Sequence, residues 1–218
     1  MQKETGSQTR ENLLKAAYDI FARNGFRDAT IAEICKQAGT NIAAVNYHFG
    51  SKEKLYVESW RCALRESLKN HPPDGGVSIN APAEERFQGI IRAIIERVAD
   101  SRNRDYWFML REYANPTGLL EEAKKEELLP FHMKMETLLR ELLGLFVSDI
   151  DVMSCEISIV NQCLNPTVAG SKFMGGDNSG EWPSNAIDIN SYIDFMVNFN
   201  LAGIKAIRQK AEQKNKQT

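Results

Sequence analysis

The chain has 218 residues, of which 43% are hydrophobic and 26% are charged, and its formal net charge at pH 7 is -2. These values are typical of a globular protein and exclude a disordered, fibrous or collagen-like chain. Residues 1–60 carry eight lysines and arginines against seven aspartates and glutamates. Any nucleic acid must therefore be held by a few placed cations and helix ends, and not by bulk positive charge.

No apolar run reaches the ~18 residues that a membrane span needs, and the opening MQKETGSQTRENLL lacks the apolar core of a signal peptide. We therefore expect a cytoplasmic protein. The cysteines Cys35, Cys62, Cys155 and Cys163 form no CxxC pair and lie in helix-like segments, which favours small buried thiols. We expect no disulfide, no metal ion and no cofactor.

Helical periodicity dominates the chain, and no segment shows the alternation of a strand. The pattern is interrupted at 72–76 and at 165–185, where glycines and prolines cluster, and the second interruption is long enough for a mobile or functional loop. Beyond the N-terminal region we predict helices over 83–102, 104–115, 118–146 with a kink at Pro130, 149–164 and 187–209. The sequence predicts an all-α fold.

The first helices are bounded by strong local signals. A helix over residues 10–25 has one apolar face, and Gly25 follows where a left-handed cap would end it. That face comprises Leu13, Ala17, Ile20 and Phe21. Thr30 and Glu33 have the spacing of a capping box, and Gly39 ends the short second helix.

A third helix begins after Asn41, a good N-cap residue. The helical period turns Ile42, Val45 and Phe49 inward. The outward side chains are then Ala43, Ala44, Asn46, Tyr47 and His48. Two short helices joined by a tight glycine turn predict a helix-turn-helix.

The outward face of this third helix has the chemistry of a DNA reader. Small side chains permit close approach to base edges, Asn46 can hydrogen-bond them, and Tyr47 and His48 can reach phosphate. Lys52, in the first turn of the following helix, adds charge to a helix end that already favours anions. The predicted DNA-contacting residues are Thr30, Asn41, Ile42, Ala43, Ala44, Asn46, Tyr47, His48 and Lys52. Taken alone, Tyr47 would be an ordinary surface aromatic and His48 a histidine favoured at a helix C-terminus.

The segment TIAEICKQAGTNIAAVNYHFGSKEKLY resembles the signature of the tetracycline-repressor (TetR) family of bacterial regulators. FARNGF, TIAEI, the AG turn, NYHF and GSKEKL carry the resemblance, which covers residues 9–56. NIAAVNYHFGSKEKLY together with REYANPTGLLEE is similar to the CecR-like branch of that family. One departure is Thr40, where the family more often has an apolar residue.

The resemblance implies a homodimer that reads a palindromic DNA operator, usually as a repressor that a small-molecule effector releases. We accordingly expect a helix-turn-helix DNA-binding domain over 1–60 and a helical effector-binding and dimerisation domain over 61–218. The alternative is a helical small-molecule-binding or catalytic protein whose helix-turn-helix is only structural. The sequence has no nucleophile motif or glycine-rich phosphate loop, so we expect no enzyme.

Aromatic residues and methionines in the middle of the chain are typical of pockets for drug-like molecules, although they would also suit an ordinary core. The predicted effector-binding residues are Trp107, Phe108, Arg111, Glu112, Phe131 and Met135. Arg111 and Glu112 would either orient a ligand or neutralise each other. His132 has no second ligand at metal-binding spacing, so we interpret it as an ordinary helix residue.

The last two helices each carry two adjacent apolar stripes, which is more than one core contact requires. We therefore predict that they pair with a second copy in a four-helix bundle, the alternative being that both helices are wholly internal. Along 149–164 one stripe is Val152, Cys155, Ile159 and Cys163, and its neighbour is Met153, Ile157, Val160 and Leu164. The predicted dimer interface comprises Val152, Cys155, Ile159, Tyr192, Met196, Phe199, Gly203 and Ile204.

Overall fold

The computed structural model describes residues 6–100, 103, 105–164 and 188–217. Over these residues the chain forms nine α-helices and no strand, which confirms the predicted all-α fold. The helices are α1 Gly6–Asp28, α2 Ile31–Ala38, α3 Ile42–His48, α4 Lys52–Asn70, α5 Ala83–Ala99, α6 Asp105–Ala114, α7 Glu121–Leu143, α8 Asp149–Cys163 and α9 Ile189–Asn215. The predicted interruption over 165–185 lies outside the described residues.

Several helix bounds differ from the prediction: α1 begins at Gly6, α5 ends at Ala99 and α9 extends to Asn215. Glycines set both ends of α7. α7 begins at Glu121 and not at residue 118, since Gly118 has a φ of 75° that a right-handed helix cannot hold. It ends at Leu143 because Gly144, with a φ of 85°, is also left-handed. Between these ends α7 continues through Pro130 as one helix.

The chain divides by its internal contacts into two compact units. The N-terminal unit comprises Met1–Lys69 and Arg102–Leu128, and the C-terminal unit comprises Asn70–Ser101 and Leu129–Thr218. The N-terminal unit therefore contains α6 in addition to the helix-turn-helix.

In the N-terminal unit α1 packs against α2, α3 and α6. The predicted apolar face of α1 is buried. Gly25 interrupts the helix with a positive φ of 76°, but its ψ of 176° is extended and not the predicted left-handed cap, and the helix resumes as far as Asp28. Around this face Phe21, Tyr56 and Phe108 form an aromatic cluster, with ring centroids 4.9 Å apart for the first pair and 4.7 Å for the last. Aromatic side chains from three helices thus form the centre of the unit.

In the C-terminal unit α5 packs against α8 and α9, which also contact each other. The chain before α5 lies directly on that helix, because a Cβ added to Gly89 would come within 2.5 Å of the Asp74 carbonyl oxygen. α8 begins with a capping box in which the side chains of Ser148 and Asp151 each accept the other's backbone N–H.

Candidate nucleic-acid interface

The start and end of α2 are fixed by the predicted caps. The Thr30 hydroxyl accepts the Glu33 N–H at 3.2 Å, and the Glu33 carboxylate accepts the Thr30 N–H at 3.1 Å. Gly39 ends the helix with a φ of 67°. The Thr30 side chain is therefore committed to the cap, and a role at DNA would come in addition to it.

Capping and a buried pair of side chains hold α3 in place. The Asn41 side-chain oxygen accepts the Ala44 N–H at 3.1 Å. Val45 and Phe49, one helical turn apart, are 1% and 6% exposed and anchor the helix to the unit's core. A helix of only seven residues is thus oriented by its cap and by two core contacts.

The exposed side of α3 corresponds to the predicted reading face, with one correction. Ala43, Asn46 and Tyr47 are exposed, Tyr47 by 84%, while His48 and Ala44 are half-buried. Ile42 does not point inward as expected, because it is 54% exposed. The Cα–Cβ bond in a helix tilts toward the N-terminus, so in the first turn it directs this side chain past the end of the core.

The phosphate-binding candidates lie where α3 ends and α4 begins. The Tyr47 and His48 rings meet edge to face with centroids 4.9 Å apart. Ser51 caps α4 by accepting the Lys54 N–H at 3.2 Å. The Lys52 ammonium lies 4.5 Å from the centre of the Phe26 ring, a cation–π contact that holds the charge beside the first turn of α4.

Sequence reasoning missed a buried hydrogen-bonded cluster that connects α4 with α6. The Tyr56 hydroxyl donates to the Glu112 carboxylate at 2.8 Å, and the Thr117 backbone N–H and hydroxyl each donate to it at 2.9 Å. Burial and this carboxylate raise the pKa of the Tyr56 phenol, so it stays protonated and remains a donor. A tyrosine within the apolar pattern of a buried helix was the signal that a polar partner had to exist.

The predicted effector-binding residues are divided between the two units. Trp107, Phe108, Arg111 and Glu112 lie in the N-terminal unit, and Phe131 and Met135 lie in the C-terminal unit. Phe108 belongs to the aromatic core, and Glu112 accepts its hydrogen bonds from Tyr56 and Thr117. Arg111 is exposed. The alternative in which Arg111 neutralises Glu112 is therefore wrong, because neutral donors satisfy the buried carboxylate.

The structure buries most of the predicted dimer residues inside the C-terminal unit. Their exposed fractions are 1% for Val152, 7% for Cys155, 2% for Ile159, 3% for Met196 and 4% for Ile204. Tyr192 is half-buried, whereas Gly203 and Phe199 are exposed. Side chains already buried within a protomer cannot form the surface that meets a second copy.

Other apolar residues of both helices remain exposed, and the predicted α9 stripe is divided, because Met196 is buried while Phe199 is exposed. On α8, Ile150, Met153 and Ile157 are 70%, 55% and 53% exposed, and on α9 Phe195 and Phe199 are 60% and 58% exposed. The Phe195 and Phe199 rings stack at 5.8 Å. The alternative that both helices are wholly internal is therefore wrong, and each carries one buried and one exposed apolar stripe.

Two family models match the chain. The model of the bacterial regulatory proteins of the tetR family matches residues 13–58, from the first buried position of α1 into α4. The model of the C-terminal domain of the HTH-type transcriptional dual regulator CecR matches residues 83–204, which is more than half of the chain. The chain belongs to the TetR family of transcriptional regulators. Both the resemblance and its CecR-like branch are confirmed.

Two transcriptional regulators are similar to this chain over different lengths. CecR of Shigella flexneri is 28% identical over 175 residues, covering 73% of this chain and 75% of that protein. The repressor NicS of Pseudomonas putida is 39% identical over 57 residues, covering 26% of this chain and 27% of that protein. The NicS match is thus shorter than the CecR match and higher in identity.

Solved structures of TetR-like regulators share the fold. The fatty acid degradation regulator FadR from Bacillus halodurans superposes with a TM-score of 0.66 at 16% identity, covering 92% of this chain and 98% of that chain. A TetR-like regulator from Rhodococcus sp. RHA1 gives 0.64 at 15% identity, covering 90% of this chain and 96% of that chain. At these identities the likeness establishes the architecture alone.

Membership of the TetR family decides between the functional alternatives. The relatives are transcriptional regulators, and this chain is a regulator and not an enzyme. Among the described residues, no helix is both long and apolar enough to cross a bilayer. Over the same residues no three His, Cys, Asp or Glu side chains are grouped as metal ligands.

Proposed function

We propose that this TetR-family regulator is a homodimeric repressor that binds a palindromic operator in the cytoplasm and that a small-molecule effector releases from it. The observation that carries the proposal is the outer side of α3. There Ile42, Ala43, Asn46 and Tyr47 are exposed on a helix that Val45 and Phe49 anchor from behind. A short, rigidly held helix with this surface fits the major groove.

The roles of the reading residues follow from their chemistry. Asn46, on the exposed side, is placed to hydrogen-bond base edges, while Ala43 permits close approach and Ile42 offers apolar contact to a thymine methyl group. Tyr47 and Lys52 contact phosphate, which positions the reader without specifying sequence. Asn41 and Thr30 fix the helix starts, and any contact they make to DNA is added to that role.

The dimer interface is proposed on the exposed stripes of α8 and α9. Met153 and Ile157 on α8 and Phe195 and Phe199 on α9 supply apolar surface that a protomer leaves in water. A groove of about 220 Å³ between these helices is lined by Phe199 and by small groups such as Ser158 and Gly203. A second copy related by a two-fold axis would cover both stripes with the same residues.

We assign the effector site to the C-terminal unit, with Phe131 and Met135 as the proposed ligand contacts. Phe108 and Glu112 belong to the N-terminal unit, where core packing and hydrogen bonds with Tyr56 and Thr117 account for them. An effector releases DNA only if it binds the released conformation more tightly than the DNA-bound one. Among the relatives, NicS is a repressor and CecR is a dual regulator. A repressor role for this chain predicts that loss of its gene raises transcription of the operator-linked target.

Binding to duplex DNA from upstream of the protein's own gene tests the proposal. Affinity should exceed that for a shuffled duplex of equal composition and should fall steeply as salt rises, because phosphate contacts release counterions. Tyr47→Phe and Lys52→Ala should weaken binding to both duplexes alike, whereas Asn46→Ala should reduce the ratio between them. If the wild-type protein binds neither duplex, or binds both equally at every salt concentration, the proposal is wrong.

A further inference from the structure

A second charged surface adjoins the reading helix. A groove of about 510 Å³, here called the α1–α4 groove, lies between the start of α1, the end of α3 and the outer side of α4. Its charged and polar lining comprises Arg10, His48, Glu53, Lys54, Glu58 and Arg61. All of these residues belong to the N-terminal unit.

The groove is continuous with the reading surface. His48 lines it and touches Tyr47 edge to face at 4.9 Å. The start of α1 lies beside the same histidine, because a Cβ on Gly6 would be 3.8 Å from its ring. The Arg10 guanidinium lies 5.1 Å from the centre of the ring of Phe49, the C-cap residue of α3. A DNA strand leaving Tyr47 would therefore meet this surface next.

The carboxylates of the groove have partners, whereas its lysine, within the described part of the chain, does not. Glu58 is held between Arg10 and Arg61, each at 3.3 Å, and Arg61 is also paired with Glu126 and Glu127 on α7. Glu53 hydrogen-bonds with Ser51 at the start of α4. The carboxylates of the groove are thus engaged, while the exposed Lys54 ammonium has no ion-pair partner among the described residues. Lys54 is therefore an exposed cation of the groove that remains available to an anion.

We propose that the α1–α4 groove binds a DNA phosphate flanking the bases read by α3, with Lys54 as the direct contact and His48 beside it. Arg10 is a positioning residue, because it neutralises Glu58 and, through Phe49, holds the start of α1 against the end of α3. A phosphate contact of this kind adds affinity without sequence preference. The inference rests on the proposed DNA-binding function and extends its footprint beyond the helix-turn-helix.

The salt dependence of DNA affinity measures this contact. For B-DNA the slope of log affinity against log salt changes by about 0.9 for each phosphate neutralised. Lys54→Gln should therefore reduce the slope by about 0.9 for each bound subunit and weaken selected and shuffled duplexes alike. Lys54→Arg should keep the wild-type slope, and Lys125→Gln, an exposed lysine on α7, is the matched control that should also keep it.

Ethylation interference on the same duplex locates the phosphate. In the wild-type complex ethylating one phosphate outside each half-site should block binding, and this block should disappear with Lys54→Gln. If Lys54→Gln leaves the slope and the interference pattern unchanged while Lys52→Ala reduces the slope, the groove inference is overturned and the proposed function stands. If no variant changes the slope because the wild-type protein shows no salt-dependent binding, the proposed function fails as well.

Discussion

The helix-turn-helix (α2–α3) and the α8–α9 pair both begin with a capping box. The caps determine the packing of the helix-turn-helix more completely than that of the α8–α9 pair. α2 and α8 both start with a capping box, Thr30 with Glu33 and Ser148 with Asp151. In the reader, caps at both ends leave a short helix with one way to pack. In the longer helices α8 and α9 the caps set only where each helix begins. Packing against α5 determines which apolar stripe is buried.

This difference shows what a helix-turn-helix signature specifies. Its spacing sets the bounds of the helices and the outward side of α3, on which a functional interpretation depends. A long helix with two apolar stripes has no such local rule, because both stripes have the right period and only the neighbouring helices distinguish them. Substitutions in the two regions test that contrast.

Glutamate substitutions on the two stripes of α9 should have opposite consequences. Ile204→Glu would place an uncompensated charge at a position that is 4% exposed, so we expect it to lower the free energy of unfolding by about 3–5 kcal/mol. Phe199→Glu, at a position 58% exposed, should leave the protomer folded and dissolve the dimer. Urea unfolding and sedimentation velocity measure the two effects.

Each of the two α9 variants tests one of the two stripes. A Phe199→Glu protein that stays dimeric would remove the proposed interface, and a fully stable Ile204→Glu protein would contradict the buried position of that stripe. Gly203→Ala is the sharper probe, because no described atom beyond its chain neighbours and the adjacent helix backbone lies within 4 Å of the added Cβ. It should be harmless to the protomer and should weaken only a dimer that packs closely there.

Within the N-terminal unit, Tyr56→Phe should destabilise the protein by about 1–3 kcal/mol. The substitution keeps the aromatic packing but takes one hydrogen bond from the buried Glu112 carboxylate. Tyr113→Phe is the matched control, because Tyr113 is 69% exposed. Urea unfolding monitored by circular dichroism compares the two, and equal midpoints would show that the hydroxyl of Tyr56 contributes nothing to stability.

The same phenol predicts a dependence of stability on pH. Burial raises the pKa of Tyr56 above its value of about 10 in the unfolded chain. Its contribution is therefore fully present below about pH 10, and above that the unfolded chain releases a proton that the folded protein keeps. Stability should fall by up to about 1.4 kcal/mol more per pH unit in the wild type than in Tyr56→Phe. Parallel curves up to about pH 11 would contradict the raised pKa.

The two capping boxes should respond equally to removal of their hydroxyls. Thr30→Ala and Ser148→Ala each lose an acceptor for a backbone N–H, and we expect each to cost about 1 kcal/mol of unfolding free energy. Only Thr30→Ala should also weaken DNA binding, because it loosens α2 beneath the reader. Unfolding curves and a DNA titration on both proteins separate stability from function, and an equal loss of DNA affinity would contradict this assignment.

Particular residues show why the sequence predicted some features and not others. Thr30, Gly39 and Asn41 act through contacts within a few residues of themselves, so their roles followed from spacing. Ile42 was placed inward because periodicity ignores where the core ends. For Glu112 the sequence suggested either a ligand or its neighbour Arg111, whereas its actual partner Tyr56 is 56 residues away. A contact between residues so far apart in the chain produces no periodic pattern in the sequence.

If α3 reads DNA as part of a two-fold dimer, selection of bound duplexes from a random pool should enrich an inverted repeat whose half-sites lie about one helical turn, ~34 Å, apart. Asn46→Ala should relax the preference within each half-site, whereas Lys52→Ala should not. Enrichment of a single unrepeated element, or of no sequence at all, would show that α3 does not read DNA in this way.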